Sequence, residues 1–494
     1  TRCFRGEERV GIFLPPGAGA VLAHLATIFA GKVPIHLNYS LGAKDLADPI
    51  KRAGLKHIIT SPRFLKALDG DSPVSPEQAV MLESLAGELS SVDKLRALCL
   101  SLLPTWLLVR AVRPVIDPDA TATILFSSGS TGKPKGVVLT HRNVLSNLDA
   151  FSEAVQLTEQ DALLGVLPFF HSFGHTATLW APLLRGSKAV YHARPTDGAR
   201  IGELCAEEKV TIALATPTFY QAWMRRVPME SFESLRLAIT GAEKLQSRFS
   251  SAFKDKYGLD LLEGYGCTEL SPVVSVNLPD LEPVPHHESA RREGTVGRPL
   301  PGISVRIVDP VSGLELAPGE EGSVMVSGPN VMHGYLDDPE RTAEVLRDGW
   351  YDTGDVGVID RDGFLTLTDR RSRFAKVGGE MVPQGRVESS LHCVCADLIQ
   401  GAGMVSENSP EIAVTCVPDD RKGERLVVLH TSLPFEAEAL CAALRAGDLP
   451  ALYQPRADQY FLVAEIPKLG TGKTDLKALK DLALDLANPE PSSD

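Results

Sequence analysis

Ser127-Ser-Gly-Ser-Thr-Gly-Lys-Pro-Lys-Gly136 follows directly on the apolar run Ala122-Thr-Ile-Leu-Phe126. A strand that opens into such a run of hydroxyls and glycines exposes backbone N–H groups and O–H donors in one concave turn, which suits phosphate oxygens. Lys133 and Lys135 add positive charge. The loop is not a GxxxxGK[ST] phosphate loop, because Ser127 stands where the first glycine belongs and Pro134 follows Lys133. A flexible linker does not account for it either, since the buried-type strand before it is matched by Val137-Val-Leu-Thr-His141 after it.

Working outward, short apolar runs of strand type recur at Val10–Leu14, Ile58–Thr60, Leu163–Leu167, Ala189–His192, Ile212–Ala215 and Leu235–Thr240. Most precede helix-length stretches, the mark of parallel α/β layers. From about Gly302 the texture changes to alternation and tight turns, as in Ser304–Val308 and Gly322–Val326, predicting a β subdomain over about 302–368. Asp362-Gly363 marks a hairpin between Val358–Asp360 and Phe364–Leu367. The cationic connector Asp369-Arg-Arg-Ser-Arg373 then sets a boundary. The expected organisation is α/β: a large domain of layered α/β subdomains over 1–371, a small mobile α/β domain over 372–487, and a disordered tail over 488–494.

The 494 residues carry a net charge of −13, with 44% hydrophobic and 23% charged residues, which excludes a disordered chain, a membrane bundle and a small binding module. The acidic balance argues against a nucleic-acid partner. Eight scattered cysteines form no CxxC pair, as expected of reduced thiols in a cytoplasmic protein. One stretch stands apart. Ala97–Val109 is uncharged and lies between Arg96 and Arg110. At thirteen residues it is too short for the ~20 needed to cross a bilayer, and Pro104 interrupts it. It reads as a core helix pair or as an interfacial anchor, with peripheral membrane contact through 97–113 in the second case.

The Ser127–Gly136 run resembles the nucleotide-binding signature of the adenylate-forming superfamily of acyl-CoA synthetases, luciferases and adenylation domains. The superfamily's other signatures recur in order along nearly the whole chain. Gly241-Ala-Glu243 is similar to the adenine-side loop, Tyr265-Gly-Cys-Thr-Glu269 to the YGxTE block, Tyr351-Asp-Thr-Gly-Asp355 to the Y-x-T-G-D block, and Pro467–Lys473 to the block with the catalytic lysine. The resemblance implies an ATP- and Mg²⁺-dependent enzyme. Its nucleotide site would comprise Ser127, Ser128, Gly129, Ser130, Thr131, Gly132, Lys135, Gly241, Ala242, Glu243, Tyr265, Gly266, Thr268, Asp355 and Arg370. Tyr265 would stack on the purine, Asp355 and Arg370 would hold the ribose, Thr268 would reach the α-phosphate, and Glu269 would hold the metal. Lys473 would bridge carboxylate and α-phosphate.

The resemblance implies two half-reactions: a carboxylate attacks the α-phosphorus of ATP, giving acyl-adenylate and pyrophosphate, and a thiol then displaces AMP. The small domain rotates between them about the hinge Ser372, and Lys376, Gly378 and Gly379 would line the thiol tunnel. Three positions depart from the common pattern: Ser372 where Asp or Lys is usual, Asp369 where Gly usually precedes the Arg, and Gly385 for a frequent Glu.

Pro168-Phe-Phe-His171 with Ser-Phe-Gly174 resembles the aromatic/His block beside the acyl pocket, with His171 as gate of the thiol tunnel. Phe169, Phe170, Phe173, Trp180 and Phe219 favour a fatty or aromatic acid over an amino acid. The wording of Ser372–Val382 and of Asn38-Tyr39 is most similar to the acyl-[acyl-carrier-protein] synthetases, some of which are fused behind an acyltransferase. This implies a medium- to long-chain fatty acid as substrate and an acidic carrier protein as acceptor, docked on Arg370, Arg371, Arg373 and Lys376, with CoA as the alternative. The abrupt entry from Thr1 into Val10–Leu14 fits a chain cut from such a fusion. The chain itself is not expected to hold the acyltransferase: about one HxxxxD match is expected by chance against the three present, and Glu293-Gly-Thr295 belongs to the ligase's own G-T-V-G-R-P run. A nicotinamide site at Gly17-Ala-Gly19 fails for want of a third glycine, and His286-His-Glu288 reads as a polar loop rather than a metal site.

Overall fold

The computed structural model describes residues 4, 6–68, 74–112, 117–127, 134–279, 290–377, 380–401, 410–419, 423–447, 449–468 and 474–487. The expected α/β architecture is present. A seven-stranded sheet runs, edge to edge, Arg298–Pro299, Val273–Val276, Leu261–Gly266, Leu237–Thr240, Ile212–Ala215, Ala162–Gly165, Lys188–Tyr191. Its last five strands are parallel, and the first two turn antiparallel. Ala162–Gly165, Ile212–Ala215 and Leu237–Thr240 are buried along their whole length, which is why they read as unbroken apolar runs. A four-stranded parallel sheet (Val33–His36, Arg9–Ile12, Ile58–Thr60, Ala79–Met81) lies N-terminal to it in sequence.

The strand that opens into the glycine- and serine-rich loop is not part of either parallel sheet. Thr121–Ser127 and Lys135–Thr140 form an antiparallel hairpin, with Ser127 opposite Lys135, and Gly334–Tyr335 extends it to three strands. Ile124, Leu125, Val137 and Leu139 are buried against neighbouring layers, so the alternation that would reveal a hairpin is missing from the sequence. Asn147 fastens the adjoining helix His141–Ala154 to the large sheet, donating to the Val273 carbonyl at 2.6 Å and accepting from the Val273 N–H at 3.1 Å.

The expected β subdomain is antiparallel, with strands Ser304–Val308, Gly322–Ser327, Trp350–Ile359, Leu346–Arg347 and Leu365–Arg370. The last strand runs on through Asp369 and Arg370, two residues into the segment expected as a polar connector. The C-terminal segment builds its own sheet from Phe374–Val377, Glu380–Pro383, Ile412–Asp419, Gly423–His430 and Tyr460–Leu462. One face covers Leu391, Val428 and Leu440, and the other receives Leu479 and Ala483 of the helix Leu476–Ala487. Residues 488–494 lie outside the described residues.

The uncharged stretch folds as two helices, Ser91–Ser101 and Thr105–Val112. They are not a core pair: the first has no buried residue, Leu102 is 78% exposed and Trp106 is 68% exposed. No helix among the described residues is long and apolar enough to cross a membrane.

Candidate active site

The C-terminal ends of the large sheet's parallel strands meet the β subdomain, and the motif residues collect there. Leu261–Gly266 delivers Tyr265, and the turn Thr268–Leu270 after it delivers Thr268 and Glu269. Gly266 is forced: a Cβ there would lie 2.0 Å from the Pro272 carbonyl oxygen. Asp355 projects from Trp350–Ile359 and is 4% exposed. It accepts a hydrogen bond from the Tyr265 hydroxyl and pairs with Arg370 Nε at 2.9 Å. Arg370 reaches it because the two residues stand directly opposite in adjacent strands. Burial, with the nearby Asp355 carboxylate, pushes the Tyr265 phenol above its ordinary range and keeps it a donor. The same carboxylate raises Arg370 and fixes its charge.

Glu269 is buried, and its Oε1 accepts from Tyr335 Oη at 2.9 Å. Lys135, at the start of its strand, lies over the Tyr335 ring at 5.1 Å. Burial lowers its ammonium pKa, opposed by the Glu269 charge. In the loop Gly241-Ala-Glu243, Ala242 takes a left-handed φ of 73°. Glu243 accepts from the Thr218 hydroxyl at 2.6 Å. A Cβ on Gly241 would lie 3.0 Å from the Gly264 carbonyl and 3.9 Å from Phe173, so the loop passes close to both the sheet and the aromatic block.

His171 is half-buried and caps Ser172–Gly174, with Nδ1 accepting from the Phe173 N–H at 3.4 Å. Ser172 Oγ lies 3.3 Å from Thr268 Oγ1, which joins the two motifs. The expected acyl wall is only partly assembled. Phe169 is buried in the N-terminal core and Phe219 belongs to the core of the large sheet, while Phe173 stays half-buried beside Gly241.

At the expected hinge, Ser372 sits in the turn Arg371–Arg373. Asp369 and Gly385, two of the departures from the family pattern, meet: the Gly385 N–H donates to Asp369 Oδ2 at 2.7 Å. A Cβ on Gly385 would lie 3.0 Å from both carboxylate oxygens. The arginines expected to dock a carrier protein are already engaged. Arg370 pairs with Asp355, Arg371 with Asp352, and Arg373 with Glu388 at 2.7 Å. Lys376 is exposed. Ser128, Gly129, Ser130, Thr131, Gly132, Gly378, Gly379 and Lys473 lie outside the described residues, as does His286-His-Glu288.

Sequence reading missed Tyr335, Thr218 and Glu263. Burial pushes the Glu263 carboxyl up to about 7, although it accepts the Leu245 N–H at 3.0 Å. A Gly-Tyr pair and a lone Thr carry no local signal, and only the fold brings them to the site.

Residues 4–336 match the AMP-binding enzyme family. The chain belongs to that family. A feruloyl-CoA synthase of Amycolatopsis sp. is 31% identical over 460 residues, covering 91% of this chain and 84% of the relative. A long-chain-fatty-acid–CoA ligase of Bacillus subtilis (strain 168) is 28% identical over 496 residues, covering 94% and 84%. Among solved structures, ATP-bound MatB from Rhodopseudomonas palustris matches with TM-score 0.79 and 26% identity over 97% of this chain and 89% of that one. MenE from Bacillus subtilis, in complex with ATP and magnesium ion, matches with TM-score 0.76 and 25% identity over 96% and 89%. As an AMP-binding enzyme, the protein is an AMP-forming acid–thiol ligase that uses ATP and Mg²⁺.

The donor set suits that metal. Glu269 presents a buried carboxylate with one oxygen held by Tyr335, beside the Thr268 hydroxyl, and hard Mg²⁺ takes oxygen ligands.

Proposed function

We propose that the enzyme activates an apolar carboxylic acid, a medium- to long-chain fatty acid foremost, as its acyl-adenylate and passes the acyl group to the pantetheine thiol of CoA. The observation that carries this reading is the meeting of two unlike surfaces at Ser172 and Thr268: a polar floor of Asp355, Arg370, Tyr265 and Glu269, and an aromatic block around His171. In this reading Asp355 and Arg370 orient the ribose, Thr268 and Lys135 hold the phosphates, and Glu269 with Thr268 would hold Mg²⁺, which supplies charge neutralisation to the departing pyrophosphate. Lys473 stabilises the charge that develops as the carboxylate oxygen bonds to phosphorus and pyrophosphate leaves. The thiol then attacks the acyl carbon, the bond to AMP breaks, and His171 and Lys376 flank its approach.

CoA takes precedence over carrier protein because the arginine cluster is spent on internal carboxylates, and because the names of the relatives above include CoA ligases. The exposed helices Ser91–Ser101 and Thr105–Val112 support a sparingly soluble substrate. Leu98, Leu102, Trp106 and Val109 would enter a membrane surface and collect fatty acid from it. The deciding assay measures carboxylate-dependent ATP–pyrophosphate exchange over a ladder of fatty acids and ferulate, then thioester formation with equal CoA and carrier protein. Failure of every acid to support exchange refutes the enzyme reading. A preference for carrier protein replaces the acceptor assigned here.

A further inference from the structure

Three histidines from distant parts of the chain meet in the interior behind the His171 segment. His24 belongs to the helix Ala18–Phe29, His36 ends the strand Val33–His36, and His175 opens the π-helical turn His175–Trp180. None is more than 2% exposed. His24 Nδ1 and His36 Nε2 are 3.0 Å apart, and one donor atom from each of the three rings lies within 4.8 Å of the other two. Phe169 stands edge-on to His36 and Trp180 edge-on to His24, forming a dry aromatic shell.

Hydrogen bonding within the chain explains only part of this arrangement: His24 Nδ1 and His36 Nε2 share one bond, and Trp180 Nε1 donates to His175 Nε2 at 3.2 Å. His24 Nε2 and His36 Nδ1 are buried and make no hydrogen bond among the described residues. Buried polar atoms without partners are rare in folded proteins, and a bound ion is one of the few things that accounts for them. Burial lowers all three pKa values, His175 to about 4, so the rings stand neutral; an ion would take over the lone pair that His175 Nε2 now offers to the Trp180 indole N–H.

We propose that His24, His36 and His175 form a buried site for a divalent transition-metal ion of the zinc type, separate from the oxygen-lined position at Glu269. Imidazole nitrogens select such ions over Mg²⁺. Ligation at ~2.0–2.1 Å sets the nitrogens roughly 3.4 Å apart, a small adjustment from the 3.0 Å His24–His36 contact and from separations of up to 4.8 Å. Three histidines leave a fourth position for water. Because the His175 N–H bonds to the His171 carbonyl at 2.8 Å, an ion held here would pin the turn that presents His171 and Ser172. The three histidines thereby act as positioning residues for the acyl-side block.

The test uses the full chain, stripped with a chelator and held in excess MgCl₂ so that the oxygen-lined site is saturated. Titration with CoCl₂ is expected to give the visible d–d bands of tetrahedral cobalt at one ion per chain, displaced by ZnCl₂, with a raised thermal midpoint. His24→Gln, His36→Gln and His175→Gln should each weaken Zn²⁺ binding by roughly a hundredfold or more. If a variant does not fold, the wild-type cobalt spectrum decides. A silent spectrum in the folded wild-type chain overturns the proposal, as do bands that survive in a folded His24→Gln/His36→Gln variant.

Discussion

The polar floor and the wall behind His171 are built on opposite rules. On the floor charge is answered by a neighbour: Asp355 by Tyr265 and Arg370, Glu269 by Tyr335. In the wall Phe169 and the three buried histidines leave polar atoms unanswered inside an aromatic shell. A charge can be buried only with its partners, so the floor is rigid and serves the part of the reaction common to every acid. The wall carries no fixed charge, and in the proposed reading it backs the aromatic block on the acid's side of the site.

If floor and wall are separable, their variants should fail separately. Lys473→Ala should lower ATP–pyrophosphate exchange by roughly a thousandfold while leaving thioester formation from supplied acyl-adenylate near wild type. Loss of both half-reactions would mean that the lysine serves the whole site. Asp355→Ala strands Arg370 and Tyr265; it should raise the KM for ATP by roughly 10–100-fold and cost about 1–3 kcal/mol in urea unfolding. An equal rise in the KM for the acid would break the separation. Leu102→Asp with Trp106→Asp should reduce binding to anionic vesicles about tenfold and leave exchange with a short, soluble acid unchanged. Unchanged vesicle binding would assign those helices to something other than a membrane.

The smallest effect lies in pH. The Glu263 carboxyl is raised to about 7 from an unfolded value near ~4.3, so between those limits the native state holds a proton that the unfolded state has lost. The stability it contributes is complete below about pH 4.3 and is lost as pH rises through about 7. Glu263→Gln keeps an acceptor for the Leu245 N–H and cannot ionise, so that component of the pH slope should vanish from urea midpoints. A slope identical to wild type would show that the carboxyl is ionised in the native protein.

The parallel strands and the motif blocks were legible because each is local: a buried strand reads as an apolar run, and Tyr265–Glu269 is five consecutive residues. What stayed hidden was non-local. The hairpin flanking the glycine-rich loop is buried against neighbouring layers and so lacks alternation. Tyr335 meets Glu269 across 66 positions. Composition left Ala97–Val109 open between a core helix pair and an interfacial anchor, and the exposure of Leu102 and Trp106 removes the first. The arginine cluster looked like a docking patch because sequence shows where cations lie but not which anions face them.

Asp369 and Gly385 meet beside the turn expected as the hinge. The carboxylate sits where a side chain on residue 385 would begin, and it tethers the first turn of the helix Gln384–Gly401. Neither position can revert alone. Gly385→Glu would press a Cβ against the Asp369 carboxylate, and Asp369→Gly would leave the Gly385 N–H without its partner. The two sites form one unit, so substitutions at 369 and 385 should be non-additive. A change at either site alone would therefore loosen the junction that the pair holds together.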